Sequence, residues 1–300
     1  MANNLDSNTT KLVMREFLKE FESSKVLCKT VNTSLFDGDF TPRFGDSIQV
    51  KRPHQYNSLE TADGDISAST KNDIVSGTAL AQVQSYITVA MEWTNREEAL
   101  ELDQLQEIIK PAAQELITKL ETRLGQFMTR NLGLHSGTVG SAIAAWGDVA
   151  GTGSLMNSIG VPMAGEKYAI MNPFSIQGLA DTQSGLASGS NGLVDGAWKD
   201  AQISRNFGGL KGLTSNALPA TTLGALAGES GTVSATPDST YVAAKDSMTQ
   251  TIVLTGLTVS TVDAIRAGDT IRITQADRSR LNVMTREIAF DQTGQIEWTY

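Results

Sequence analysis

Gly45-Asp46-Ser47-Ile48-Gln49-Val50-Lys51-Arg52-Pro53-His54-Gln55 opens a polar stretch that continues through Gly64-Asp65-Ile66-Ser67 to Gly77. It is rich in Gly and Ser and poor in apolar residues. A segment of this kind buries too little to offset the entropy lost on ordering it. Such arms persist when another molecule orders them, which points to assembly rather than catalysis. The alternation Ser47-Ile48-Gln49-Val50-Lys51 predicts a strand stopped by Pro53. A second β-forming run, Gln84-Ser85-Tyr86-Ile87-Thr88-Val89-Ala90-Met91, predicts its return. Together they make a long hairpin with the polar arm at its tip.

Two helical patterns flank this hairpin. Leu12, Val13, Phe17, Leu18 and Phe21 recur at helical spacing over 7–24, with Asn8 or Thr9 available as a cap. The stripe, with Phe17 and Phe21 at its centre, must pack either within the chain or on a neighbour. Its place near the free end leads us to expect a role in assembly. After the hairpin, Leu102, Leu105, Ile108, Ile109, Ala112, Ala113, Leu116, Ile117, Leu120, Leu124, Phe127 and Met128 hold a stripe over 95–131. A kink or restart is expected at Pro111, and Gly133 supplies a stop. Unbroken, that helix measures roughly 55 Å, a spine rather than an average element.

From 133 to about 224 the pattern mixes short helices and strands. Trp146 to Ile159 is helical, Lys167-Tyr168-Ala169-Ile170-Met171 is a strand, and Pro173 opens a helix at its first turn. Asn206-Phe207-Gly208-Gly209-Leu210-Lys211-Gly212-Leu213 is a turn and strand. The mix predicts an α+β domain. From about 224, Thr, Val and Ile dominate, as in Thr249-Gln250-Thr251-Ile252-Val253-Leu254 and Asp269-Thr270-Ile271-Arg272-Ile273. That predicts a small β-barrel or sandwich.

Of the 300 residues, 40% are hydrophobic and 19% charged, and the net charge is −9. The acidic balance argues against nonspecific nucleic-acid binding over the whole surface. One cysteine, Cys28, excludes an intramolecular disulfide. Its lysine neighbours favour the thiolate, yet a small packed side chain is the expected role. The first residues carry neither the basic nor the apolar region of a signal peptide. No apolar run reaches the ~18–20 residues that span a bilayer. A soluble cytosolic product is expected.

Catalytic patterns are scarce. The two histidines, His54 and His135, fall in unrelated loops with no metal-ligand spacing around them, and Gly-x-Ser-x-Gly does not occur. Gly147-Asp148-Val149-Ala150-Gly151-Thr152-Gly153 lacks the Gly-Lys-Ser/Thr of a phosphate loop. Asp63-Gly64-Asp65 opens like a calcium loop, but the twelfth position is Ile74. We therefore expect no catalytic residues, no cofactor and no metal. Glu97, Glu98 and Glu101 cluster at the start of the spine. They either complement the helix N-terminus or form a docking surface for a basic arm, for which Lys51 and Arg52 are the candidates.

Several of these segments, in order, resemble coat proteins of short-tailed lambdoid phages. The resemblance is carried by Asn3-Asn4-Leu5-Asp6-Ser7-Asn8, by Gly45-Asp46-Ser47 leading to Lys51-Arg52-Pro53-His54-Gln55, and by Gly64-Asp65-Ile66-Ser67. It continues in Leu105-Gln106-Glu107-Ile108-Ile109-Lys110-Pro111, Asn206-Phe207-Gly208-Gly209 and Ala267-Gly268-Asp269. It implies the Hong-Kong-ninety-seven-type tailed-phage major capsid fold, an α+β fold. Its parts would be an N-terminal arm (1–33), an E-loop hairpin with peripheral-domain strands (34–94), a spine helix of the peripheral domain (95–132), the first part of an axial domain (133–223) and an inserted β-barrel, the I-domain (224–300). It further implies self-assembly into pentamers and hexamers of an icosahedral shell around double-stranded DNA, with scaffolding and portal proteins as partners. The shell would be built in the bacterial cytoplasm and involve no membrane. An encapsulin-like compartment and a carbohydrate-active enzyme with a β-rich binding module are the alternatives.

Strand-like alternation runs straight into Ile296-Glu297-Trp298-Thr299-Tyr300, with no return to the axial domain, so the chain is expected to continue. An intact-mass measurement on particle-derived protein is expected to exceed 32.0 kDa.

Overall fold

The computed structural model describes residues 6–31, 47–52, 58–71, 74–82, 87–90, 105–131, 133–137, 141–184, 199–201, 203–226, 230–234, 245–247, 251–257, 264–273, 282, 284–285, 287–290 and 298–299. The chain is α+β and divides into two units, each built from separated segments. The first takes in 1–31, 87–224 and 265–300; the second takes in 32–86 and 225–264.

In the first unit, helix α1 (Asp6–Ser24) lies along helix α2 (Leu105–Arg130). Helix α2 buries Ile109, Ala112, Ala113, Ile117, Glu121 and Gly125, a stripe of helical period. The helix runs through Pro111 without the restart expected there. Pro111 sits on the exposed side, so its missing hydrogen bond leaves a carbonyl facing water rather than apolar surroundings. Residues 95–104, assigned to this helix from the sequence, lie outside the described residues.

Small residues on the buried side of α2 let backbone come close. A Cβ at Gly125 would stand 2.7 Å from Pro219 Cδ and 3.6 Å from Leu27 Cδ2. Between α1 and the rest of the chain, a single 3-10 turn (Leu27–Lys29) buries Leu27. Its entry is held by Glu121, 3% exposed, whose carboxylate accepts from the backbone N–H of Val26 and, at 2.8 Å, from that of Leu27.

The other core of this unit packs two helices on a sheet. Helix α3 (Trp146–Ser158) starts where Asp148 accepts from the N–H groups of Ala145 (3.0 Å) and Ala144 (3.1 Å). These two donors hold its carboxyl below the usual aspartate range. Strand β3 (Tyr168–Met171) is followed by helix α4 (Pro173–Ser184), which is capped by Asn172 Oδ1 accepting from Phe174 N at 2.9 Å. Strands β4 (Asn206–Phe207) and β5 (Leu210–Thr214) form a tight hairpin. The strand order is β3-β5-β4, with β5 parallel to β3 and antiparallel to β4. Val149, Met171, Ile176, Leu179, Phe207 and Leu210 are buried together. Gly208 turns the hairpin at φ 59°, and a Cβ there would meet Ala150 N of α3 at 2.9 Å, so only glycine satisfies both turn and contact.

The chain leaves this unit at Gly224 and returns at Ile265. Asp269 closes the gap: its carboxylate accepts from Gly224 N at 2.9 Å and from Arg266 N at 2.7 Å. Residues 265–300 group with this first unit. The Thr, Val and Ile pattern continues across the return and gives no mark of it. Here β8 (Arg272–Ile273) pairs antiparallel with β9 (Trp298–Thr299).

The second unit contains β1 (Ser47–Lys51) paired antiparallel with β2 (Thr78–Gln82), in a register running from Ser47↔Gln82 to Lys51↔Thr78. The first hairpin leg falls where the sequence places it. The second does not: it is Thr78-Ala79-Leu80-Ala81-Gln82 rather than the run from Gln84. Residues 87–90 carry no ladder, and 83–86 lie outside the described residues. Cross-strand pairing, not intrinsic preference, selects the alanine-containing segment. Strands β6 (Thr232–Val233) and β7 (Leu254–Thr255) form a further antiparallel pair. Among the described residues the strands of the β-rich region form two-stranded pairs, and no closed barrel is seen.

Removing the Glu121 carboxylate leaves two backbone donors without an acceptor. Glu121→Ala is expected to lower the unfolding free energy by about 2–3 kcal/mol, read from the urea midpoint. Glu121→Gln, which keeps one acceptor oxygen, is expected to lose less.

Candidate assembly surfaces

The sequence singles out Phe17, Phe21, Lys51, Arg52, Glu97, Glu98 and Glu101. Phe17 and Phe21, one turn apart on α1, stack with centroids 6.0 Å apart, and the Lys25 ammonium lies 4.5 Å from the Phe21 ring centre. Both rings are half-buried, and α1 rests on α2 of the same chain. Part of the stripe thus lies toward the chain's own second helix. Leu12, Met14 and Leu18 remain exposed on α1.

The hairpin cations have different surroundings. Lys51 is exposed at the last rung of the ladder. Arg52, next in sequence, is half-buried, and its Nη1 donates to the carbonyls of Lys245 and Ser247, each at 3.1 Å. On the opposite strand, Thr78 N and Thr78 Oγ1 both donate to Asp246 Oδ1, at 3.1 and 3.2 Å. The Lys245 ammonium pairs with the Asp246 carboxylate. The Lys245 and Thr78 contacts hold that carboxyl below the usual aspartate range. Nothing in the sequence connects these partners, since 168 positions separate Thr78 from Asp246. Glu97, Glu98 and Glu101 lie outside the described residues, as does His54.

At the hairpin tip, Asp63 Oδ1 accepts from Asp65 N at 3.0 Å and Asp65 Oδ1 accepts from Ser67 N at 2.8 Å. The two aspartates thus shape consecutive turns. Leu59 and Ile66 are exposed alongside them. A second polar cluster lies on the β3-β5 sheet. The Glu166 carboxylate accepts from the Lys211 ammonium and the Tyr168 hydroxyl. Those bonds, Lys211's first, keep the Glu166 carboxyl below its usual range. All three groups face solvent, so this is a surface network rather than a reactive centre.

Sequence reasoning missed the large apolar side chains that the first unit leaves in water. Trp146 and Phe174 stand at the first turns of α3 and α4, Phe174 at 80% exposure. Near the end of α3, Met163 is 81% and Met284 72% exposed, and Phe290 is exposed beside them. Asn282 Nδ2 donates to Ser158 O and Ser158 Oγ donates to Phe290 O, both at 2.7 Å, holding 282–290 at this end of α3. Exposed aromatic and methionine side chains in such numbers are the surface chemistry of association.

No described group of three or more His, Cys, Asp and Glu could hold a metal. No described helix is long and apolar enough to cross a membrane.

Two comparisons bear on the chain. The family model described as P22 coat protein - gene protein 5 matches residues 1–295. A "Major capsid protein" of Acyrthosiphon pisum secondary endosymbiont phage 1 is 46% identical over 274 residues, which is 91% of this chain and 64% of that protein. The chain therefore spans less than two thirds of this relative's length.

Cys28 is half-buried, and burial first, then the Glu121 carboxylate, raises its thiol above the ordinary value despite Lys25. Its alkylation by iodoacetamide at pH 8 is expected to be slower than that of free cysteine, and to reach the free rate in denaturant.

Proposed function

The chain belongs to the P22 coat protein family, and from that membership we propose that it is a major capsid protein whose copies assemble into a closed icosahedral shell around phage double-stranded DNA. The observation that carries the proposal is the family match across nearly the whole chain, reinforced by a relative named as a major capsid protein. The α+β architecture agrees with it. On this reading α1 belongs to the N-terminal arm, the β1–β2 hairpin is the E-loop, α2 is the spine helix, and the α3-to-β5 core is the axial domain. The β-rich segment leaving at Gly224 is the inserted I-domain. The proposed partners are other copies in pentamers and hexamers, a scaffolding protein during assembly, a portal protein and the packaged DNA. Assembly takes place in the host cytoplasm, and the virion capsid is the product.

The physical case for a shell rests on repetition. The 300 residues hold a single cysteine, so disulfides among them cannot link each subunit to two neighbours. Strength then comes from many weak contacts made together, which effective concentration multiplies. The exposed apolar side chains at α3, α4 and 282–290 supply surface that a stable interface would cover. The family membership lends no support to the carbohydrate-active or encapsulin-like alternatives. Negative-stain imaging of particles from expressing cells is the direct test: closed isometric shells are expected, and discrete oligomers with no shells would overturn the proposal.

In this shell the hairpin's cations meet the Glu97, Glu98 and Glu101 cluster of a neighbouring copy. Lys51 is the cleaner probe, being exposed. Lys51→Glu is expected to change subunit stability by no more than about 0.5 kcal/mol. It is expected to slow shell formation most at low salt, where repulsion is least screened. Glu97→Lys with Glu98→Lys is expected to restore part of the rate, read by light scattering. Each exposed pair contributes only about 0–1 kcal/mol, so the effect is visible only because it recurs in every subunit.

A further inference from the structure

We infer that Arg52, Thr78 and Asp246 form an intrachain clasp that makes the polar hairpin and the 225–264 segment a single body. The clasp sets the hairpin's direction from a point far away in sequence.

A two-stranded ribbon is marginal in water by itself, and this one carries a long polar loop that adds ordering cost and little burial. The ladder ends on the loop side at Lys51↔Thr78, and Arg52 N extends it by donating to Gly77 O at 2.9 Å. It is at this end that the turn 245–247 takes hold, and it takes hold of both strands. From β1, the Arg52 guanidinium reaches the carbonyls on either side of Asp246. From β2, Thr78 gives its backbone N–H and its hydroxyl to the Asp246 carboxylate between them. The donors and acceptors interlock, so neither strand can slide or splay without breaking bonds to the turn. One guanidinium nitrogen with two N–H groups satisfies two carbonyls at once. A lysine cannot present the same rigid pair.

A second observation agrees. By compactness alone, residues 32–86 group with 225–264 and not with the spine. Within that unit Gly231 approaches Leu257 and Leu226 N donates to Ala264 O at 3.1 Å, so the 225–264 segment has closing contacts of its own. The hairpin's root is therefore held by that segment and not only by the strands that enter it. Arg52 acts as a positioning residue, and its substitution releases the hairpin root rather than simply removing a surface charge.

The inference does not rest on the shell reading, and it is tested in free subunits. Thr78 Oγ1 and Asp246 Oδ1 are 3.2 Å apart, so cysteines at these two positions are held near one another. In a Cys28→Ser background, Thr78→Cys with Asp246→Cys is oxidised mildly and run without reductant. A cross-linked monomer of increased mobility, from the large internal loop, is the expected result. Covalent dimers alone, or two maleimide-reactive thiols with no cross-link, would overturn the clasp. Arg52→Ala provides the second reading by hydrogen exchange. The amides of Thr78 and of 245–247 are expected to exchange at least about tenfold faster while those of α2 are unchanged. Arg52→Lys is expected to recover only part of the protection. Unchanged exchange in Arg52→Ala would equally overturn it. Absence of shells with an intact cross-link would count against the capsid reading and leave the clasp standing.

Discussion

Close approach of neighbouring segments to one side of α2 is the constraint from which the first unit is built. Ala112, Ala113 and Gly125 keep that side shallow, so the turn at Leu27 and the Pro219 segment seat directly on the helix. Ile109 and Ile117 are buried on the same side. A larger residue at Gly125 would push off both the turn and the proline. The same closeness explains why a carboxylate can be buried here. Glu121 finds two backbone donors within reach only because the turn sits so near, and without them its desolvation would be prohibitive.

The second unit follows a different logic. It has few buried apolar residues among those described, and polar bonds replace the missing core. Arg52, Thr78 and Asp246 hold the hairpin root, while Asp63 and Asp65 shape its tip. Such bonds are directional and solvent-accessible, so they fix geometry at modest cost to mobility.

Local chemistry was legible in the sequence and long-range chemistry was not. Asn172-Pro173 marked the start of α4, Gly208-Gly209 marked the turn between β4 and β5, and the Trp146 helix was read to within a residue. Each signal lies inside the element it specifies. Thr78-Ala79-Leu80-Ala81-Gln82 was passed over because alanine does not favour strands, and its partner strand and the Asp246 turn decide the matter. The return at Ile265 was invisible because strand-forming composition is the same on both sides of it. Among the candidate site residues, Lys51 and Arg52 looked equivalent. Only the structure separates an exposed lysine from an arginine engaged with two carbonyls. Trp146, Phe174, Met163 and Met284 could not be flagged as surface residues, because apolar residues in short helices and loops usually read as core.

The distance along the chain between the two halves of the second unit has a temporal meaning. Asp246 follows Thr78 by 168 residues. At elongation rates of about 5–20 residues per second, roughly 8–34 s pass between their syntheses. During that interval the β1–β2 ribbon exists without its anchor, while α2, α3 and the β3-β5-β4 sheet are already emerging. Synthesis thus imposes an order: α2 and the β3-β5-β4 sheet are made before the hairpin's anchor. On polysomes, where nascent copies lie close together, a ribbon left waiting is open to pairing with the wrong chain. The polarity of the loop it carries is then a safeguard, because a segment with little apolar surface gains little from a chance encounter.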